Sequence, residues 1–340
     1  MKTTISNFII KLTHWEFWPF EVFYFPIFIY WIWLSAKARS FFFFSASNPG
    51  IQTGGMMGES KFSILEKIPD EFKAKTIFIK KEILFSDLME KIKMNELNFP
   101  LIFKPDVGER GIGVEKINKE EEAEKYILLN KKDFLIQEYI SLPVELGVFY
   151  YRYPDEEKGL VSSVVRKDFL KVTGDGHSTI DALIEAYPRA RFQTKRLQRK
   201  IETLRSEILP ANKTIELEPI GNHCRGTTFL DAADIIDEKL SATFDLISKP
   251  IDGFYYGRYD LRCESIESLK EGKMLKIMEL NGAGAEPAHI YQPGFSLLKA
   301  YKILFRHWRV MYEISLANHR KGVEYISLKE MKEIYKASRN

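Results

Sequence analysis

Two stretches of this sequence hold residues able to handle phosphate and a divalent cation. In FPLIFKPDVGERGIGVEKI, residues 99–117, an apolar run reads as a buried strand, Lys104 ends it, and Gly108, Gly111 and Gly113 follow. Glycines reach backbone angles closed to other residues and carry no Cβ to hold a ligand away. Their N–H groups can therefore point at phosphate oxygens. Lys104 adds a point charge and Arg110 a planar fork. No Gly-Lys-Ser/Thr closes the loop as in a Walker motif, and the GxGxxG order fails. A plain glycine hairpin returning through VEKI fits the same residues, and the two readings are compatible.

The second stretch is acidic. YGRYDLR puts Asp260 inside one strand, and IMELNG puts Glu279 and Asn281 at i and i+2 of the next. Positions i and i+2 of a strand share a face, so a carboxylate and an amide oxygen point the same way, with Asp260 free to join from the neighbouring strand. Oxygen donors without His or Cys suit Mg²⁺ or Mn²⁺, which take the rest of their shell from water and phosphate. Two surface acids on a hairpin are the plainer reading. Beside a lysine and a flexible glycine loop, a metal–nucleotide site explains more.

Elements must carry these residues. Strands are expected at KTIFI, PLIF, VEKI, DFLIQEYI, GVFYYRYP, GLVSSVVRKDF, TIELEPI, GFYYGRYDLRC and KMLKIMELNGAG. Helices are expected at SKFSILEKI, at SDLMEKIKMNEL with Ser86 as N-cap, at EEEAEKYILLN, after the VTGDGHSTI turn with Ser178 or Thr179 as cap, and at EKLSATFDLISK. A last long helix starts near Phe295, with Leu297, Tyr301, Leu304, Trp308 and Met311 as its core stripe. NHCRGTTFLDAAD reads as a loop. The arginine-rich run between Arg189 and Arg205 reads as a solvated basic helix, a face that attracts an anionic substrate being the sharper alternative. Strands and helices alternate without a strict βαβ repeat, so the fold class is α+β.

Composition agrees with an ordinary globular protein: 340 residues, 45% hydrophobic and 29% charged. A net charge of +3 is too close to zero to argue for nucleic acid. Cys224 and Cys263 lack metal-ligand spacing and read as free thiols of a reducing compartment.

The aromatic residues gather at the start. Residues 17–34, FWPFEVFYFPIFIYWIWL, hold one acid and no base. Pro19, Pro26 and Glu21 count against a straight membrane span, while Trp and Tyr, followed by Lys37 and Arg39, suit a membrane interface. An arm packed on its own domain or on a second subunit, an interfacial anchor and a span all stay open. The expected localisation is cytoplasmic, with peripheral attachment at the inner face of the membrane left open.

In their order along the chain, these motifs resemble those of the ATP-grasp carboxylate–amine ligases, over roughly residues 60–317. The resemblance implies an ATP-grasp fold, two lobes with antiparallel sheets clasping the nucleotide. It divides the chain into an N-terminal segment (1–59), an ATP-grasp domain (60–320) with a gripping lobe near 100–140 and a metal lobe near 141–290, and a C-terminal helix (321–340). It implies ATP and Mg²⁺ or Mn²⁺ as cofactors. Lys104 and the loop Gly108, Arg110, Gly111, Gly113 and Val114 would meet the phosphates. Gln137, Glu138, Tyr139 and Ile140 of the QEYI hinge would line the adenine, and Glu145, seven residues after the hinge acid, the ribose. Asp260, Glu279 and Asn281 match the family's metal set. Arg258 stands where D-alanine ligases keep an arginine by the reacting carbonyl. VTGDGHSTI and NHCRGTT are similar to turns of cyanophycin and glutathione synthetases, and they bring Asn222 and Arg225 toward the nucleotide; Arg166, Lys167 or Lys171 would reach the phosphates.

Two departures limit the resemblance. Only about 60 residues, aromatic rather than α/β, precede the match. After ELN the chain reads GAGAEPAHIYQPG, without the serine and proline of D-alanine ligases; Gly282, Gly284, Glu286, His289 and Tyr291 are the candidate substrate contacts, an ordered loop capping the last helix being the plainer role. The implied activity is ATP-dependent joining of a carboxylate to an amine through an acyl phosphate. A kinase of the same fold and an inactive nucleotide-binding protein are the alternatives. The implied partners are small-molecule carboxylate and amine substrates and no nucleic acid, with membrane contact or homodimerisation through the aromatic segment left open.

Overall fold

Short β-branched and aromatic runs broken by glycine turns give this chain three antiparallel sheets, seen in a computed structural model that describes residues 7, 9–10, 12–108, 111–197, 201–202 and 204–339. The first sheet has the order β1-β4-β2-β3, built from β1 (Thr76–Ile79), β2 (Leu101–Pro105), β3 (Glu115–Ile117) and β4 (Phe134–Glu138). The Phe85–Met94 and Glu120–Leu129 helices cover it over a core that includes Leu88, Phe103, Tyr126 and Phe134. This sheet reaches back to Thr76, well before residue 100. Ser86 lies inside its helix: Leu84 is the N-cap and the Ser86 hydroxyl donates to Asp87 instead.

The second sheet has the order β11-β10-β5-β6-β9, from β5 (Val144–Tyr151), β6 (Leu160–Asp168), β9 (Thr228–Asp231), β10 (Tyr256–Cys263) and β11 (Leu275–Asn281). One face buries Leu146, Val148, Tyr150, Tyr259 and Leu261 against the Glu238–Ser248 helix. Tyr150 Oη donates to Asp245 at 2.6 Å beneath it. The other face changes character along its strands. Phe149, Tyr151 and Tyr256 are apolar and packed with the C-terminal helix, while Glu145, Lys167, Arg258, Asp260 and Arg262 form a buried charged patch. Strand β9 falls in a stretch expected as loop; its four residues are too few to show an alternating pattern.

The third sheet is a ribbon of β7 (Leu170–Thr173) and β8 (Thr214–Glu218) with its own small core, Leu170, Val172, Ile184 and Leu217 among it. Thr179 caps the helix that follows the glycine turn. The expected basic helix is not continuous. It is broken into Pro188–Arg191 and Thr194–Leu197, with a turn beyond; residues 198–200 and 203 lie outside the described residues. Among the described residues, three of its arginines have partners. Arg189 is buried over the Phe17 ring, Arg196 pairs with Glu218 at 3.3 Å, and Arg205 pairs with Asp181 at 2.7 Å.

The N-terminal segment forms a helix, Phe20–Ala38, which continues through Pro26. It runs parallel to the long Leu297–Arg320 helix: Phe23 stacks on Tyr301, Tyr30 meets Phe305 edge-on, and Lys37 lies over Tyr312. Trp15, Phe23, Tyr24 and Ile27 are buried there with Ile290 and Leu304. Among the described residues no helix is long and apolar enough to cross a membrane. A last helix spans Leu328–Arg339.

The NPG turn ties this segment to the second sheet. The buried Asn48 amide donates to Gly54 O and Tyr256 O, both at 2.8 Å, and its Oδ1 accepts from Tyr255 N and Tyr256 N, both at 2.9 Å. Beyond it, Gly55 and Gly282 meet backbone to backbone; a Cβ on Gly282 would stand 2.4 Å from Gly54 O. Asn48→Ala leaves buried backbone groups without partners and is expected to cost about 2–4 kcal/mol. Urea unfolding checks this; a midpoint equal to that of the parent would show the turn to be incidental.

Candidate functional site

The site lies where the charged patch of the second sheet faces the end of β2. Pairing of β10 with β11 sets Asp260 opposite Glu279 and Arg258 opposite Asn281. On the other side of β10, Gly147 lies opposite Asp260. A Cβ on Gly147 would stand 3.1 Å from Asp260 Oδ1 and 3.3 Å from Arg258 Cδ, so glycine here makes the room in which those side chains sit.

Asp260 is buried among cations. Its Oδ1 lies 2.9 Å from Lys167 Nζ, and its Oδ2 accepts from Arg258 Nη2 and from Asn281 Nδ2, both at 3.1 Å. Burial pushes its carboxyl up, but Arg258 and Lys167 overrule this and hold it at about 2. Lys167 also lies 3.3 Å from Glu145, whose other oxygen accepts from Arg262 Nε at 2.7 Å. Burial works against the charge of Lys167, yet Asp260 and Glu145 together raise its pKa. Glu279 differs: its carboxylate is half-buried beside these groups and, among the described residues, makes no hydrogen bond or ion pair. An unpartnered carboxylate opposite Asp260 and beside the Asn281 amide is an all-oxygen donor set that fits a hard divalent cation. Among the described residues there is no cluster of three or more His, Cys, Asp or Glu to offer a different metal site.

Lys104 approaches from the first sheet. It is buried, and its Nζ donates to Gln137 Oε1 and to Met278 O, each at 3.0 Å, so the two sheets join at this ammonium. Burial lowers its pKa to about 8, with Glu279 pulling back the other way. Lys61, which no local motif marks, donates to Gly108 O.

The glycine loop is held by its carbonyls. Arg225 donates to Gly111 O and, at 3.0 Å, to Val114 O, and Tyr126 donates to Gly113 O at 3.0 Å. Gly111 and Gly113 have φ of 69° and 73°, the left-handed region that glycine enters without strain. Asn222 stands beside Gly111 and caps its own turn by accepting from Cys224 N. Arg110 lies outside the described residues.

The hinge residues are largely occupied. Gln137 is engaged with Lys104, Glu138 accepts from Lys75 N at 2.7 Å, Ile140 O accepts from Arg262, and Lys116 and Arg262 both lie over the Tyr139 ring, at 3.7 and 5.5 Å. The stretch before the GDG turn is two strands, β6 with Arg166 and Lys167 and β7 with Lys171, and of the three cations only Lys167 faces the site. Arg166 is exposed on the opposite face, in register with Leu146, and Lys171 pairs with Asp168 at the surface. A period of two makes that choice once register is known.

The loop after β11 reaches the site through Glu286. Its carbonyl accepts from Arg258 Nη1 at 3.1 Å, and its carboxylate accepts from the hydroxyls of Tyr291, at 2.8 Å, and Tyr24. Burial first and the neighbouring Glu286 next push both phenols far up, so they stay protonated donors. Tyr24 comes from the aromatic N-terminal helix. Nothing in its local sequence marks it, because only packing brings residue 24 to residue 286. Ala283 N, next to Gly282, donates to Gly54 O and Gly284 N donates to Gly55 O, both at 2.9 Å, and His289 is buried with its ring against Phe295.

No protein-family model matches the chain, and no curated protein matches it in sequence. Solved structures do match in fold. A bifunctional glutathione synthetase from Pasteurella multocida is 16% identical with a TM-score of 0.36, over 72% of this chain and 35% of that one, so the chain spans about a third of its length. A D-alanine–D-alanine ligase from Bacillus anthracis is 15% identical with a TM-score of 0.43, over 79% and 70%. The VanG D-Ala:D-Ser ligase from Enterococcus faecalis is 15% identical with a TM-score of 0.41, over 77% and 64%. The likeness is one of fold alone, and these three neighbours are named as a glutathione synthetase and two ligases.

Proposed function

We propose that the chain is an ATP-dependent, ADP-forming ligase that joins a carboxylate to an amine. The observation that carries this reading is the pairing of Asp260 with Glu279 across β10 and β11, with the buried Lys104 and the largely covered Lys167 and Arg258 converging on them. Opposed carboxylates ringed by cations suit the handling of a polyphosphate and its counter-ion.

Asp260, Glu279 and Asn281 would hold Mg²⁺, which when bound neutralises phosphate oxygens. Lys104 binds phosphate by charge. The substrate carboxylate oxygen attacks the γ-phosphorus, ADP leaves, and the acyl carbon of the resulting acyl phosphate is then attacked by the amine, which loses a proton as phosphate departs. Arg258 stands between Asp260 and the Glu286 loop, where it can steady negative charge growing on the acyl oxygen. Glu286, fixed by two tyrosines, presents the negative end of the site to an ammonium group of the substrate. Gly147 keeps space open above Asp260.

A screen for ADP release over amino acids, dipeptides and hydroxy acids tests the proposal, with the products analysed for a new amide. Phosphate retained on the substrate would replace the ligase reading by a kinase. No nucleotide turnover or binding with any of them would overturn both.

Lys104 provides a further expected result. Its ordinary pKa is near 10.4, and the folded value of about 8 means that the charge is present at neutral pH and lost above about pH 8. ATP affinity is therefore expected to fall by up to roughly tenfold per pH unit above that point, the bound phosphates themselves holding the proton on. Lys104→Ala should weaken ATP binding by roughly ten- to a hundredfold at neutral pH, the worth of one charge-assisted contact, and flatten the pH profile. Calorimetric titration across the pH range checks both. An affinity that ignores pH in the parent protein would remove Lys104 from the phosphates.

A further inference from the structure

The N-terminal helix is apolar on every side, and packing hides only one of them. Val22, Phe25, Ile29, Ile32 and Trp33 recur at helical spacing along the outer face, and each is between 52 and 62% exposed. A contiguous stripe of that size on a soluble surface marks an interaction site rather than chance exposure. Basic side chains stand on the same helix and on its neighbour. Lys37, over the Trp33 ring at 4.5 Å, lies at the end of the same helix, and Lys299, Lys302 and Arg306 are exposed on the parallel C-terminal helix. Tyr30 stacks on Trp33 at 5.5 Å. The acids near this face are fewer: Glu313 is paired with Arg309 at 2.8 Å, and Glu21 stands at the helix start.

We infer that this face docks on an anionic lipid surface, with the helix lying in the interface plane. An apolar stripe with Trp and Tyr at its edge and lysine and arginine alongside is the composition that seats a helix among acidic headgroups. A second copy of the chain fits less well, because a twofold contact apposes the same patch and brings the basic side chains together. The helix does not cross the bilayer: its inner face is committed to the Leu297–Arg320 helix through Phe23, Ile27 and Leu304. Tyr24 on the inner face holds Glu286, so the lipid surface would lie one helix diameter, about 10 Å, from the candidate site.

Co-sedimentation of the purified full-length chain with vesicles tests this without regard to the ligase reading. The chain should bind phosphatidylcholine vesicles that contain phosphatidylserine, bind pure phosphatidylcholine more weakly, and release from the acidic vesicles as salt is raised. The triple substitution Phe25→Ser, Ile29→Ser, Trp33→Ser should lose binding to both. Lys302→Glu with Arg306→Glu touches only exposed side chains, and it should weaken binding to acidic vesicles roughly tenfold or more while leaving the neutral ones unchanged. Circular dichroism of each variant establishes folding. Absence of binding to either vesicle, or full binding by the charge-reversed variant, overturns the inference. So does a parent protein that is a dimer without lipid and becomes monomeric on the serine substitutions, since the face would then be covered by a second copy.

Discussion

Glu279→Gln is expected to lower ADP release by on the order of 10²–10³-fold, with thermal melting unmoved. The reason is the contrast between the two opposed carboxylates. Asp260 is bound to Arg258, Lys167 and Asn281, whereas Glu279 makes no hydrogen bond or ion pair among the described residues, acts on Lys104 only through its field, and is half-buried. A carboxylate without a partner adds little to stability, and its amide has nearly the same shape, so the fold should change by less than about 0.5 kcal/mol. What the amide removes is an anionic ligand at the point where the γ-phosphate must be neutralised. The substitution has a second signature. Glu279 supports the charge on Lys104 against burial, so without it Lys104 should lose its proton at lower pH and the fall in ATP affinity should begin earlier. Coupled-assay turnover and titration against pH read the two effects separately. Wild-type turnover by the variant would remove Glu279 from the metal set.

Lys167→Ala is expected to lower stability through the charged cluster itself. Lys167 lies between Asp260 and Glu145 with little exposure, and its removal leaves two buried carboxylates short of a cation. Breaking a buried ion pair by deleting one member costs about 3–5 kcal/mol. A loss of about 3 kcal/mol, the low end, is expected because Arg258 and Arg262 each keep one of those carboxylates paired. The midpoint of urea unfolding should fall with its slope unchanged. Lys171→Ala on the neighbouring strand β7 is the control: its pair with Asp168 is exposed, and such pairs contribute about 0–1 kcal/mol. Equal stability of the two variants would mean that the cluster around Lys167 is not a structural unit.

Much of this chain is legible from local pattern. The strands with β-branched and aromatic runs and the helix near Phe295 follow from it, because periods of two and about 3.6 are properties of the backbone and need no partner. The same period puts Glu279 and Asn281 on one face whatever their strand packs against. The α+β class follows from the order of those elements. Ser86 and the arginine run depart from local expectation for a shared reason: a local sequence offers several ways to satisfy its polar groups, and distant partners such as Asp181, Glu218 and Phe17 decide the outcome for the arginines.

What only tertiary structure decided is which strands are neighbours. Antiparallel register sets Asp260 against Glu279 and Gly147 against Asp260, selects Lys167 over Arg166, and brings Lys104 of one sheet to Met278 of the other. It also set the fate of the N-terminal segment. The sequence of residues 17–34 establishes that so many large apolar side chains must be covered by something, and it leaves open by what. A helix has two sides, and each can be covered differently. Packing against the Leu297–Arg320 helix answers for one side and carries Tyr24 to Glu286, 262 residues away along the chain, while the other side keeps its apolar stripe exposed. Composition records how much apolar surface a segment holds; only the packed structure says which part of it is left over.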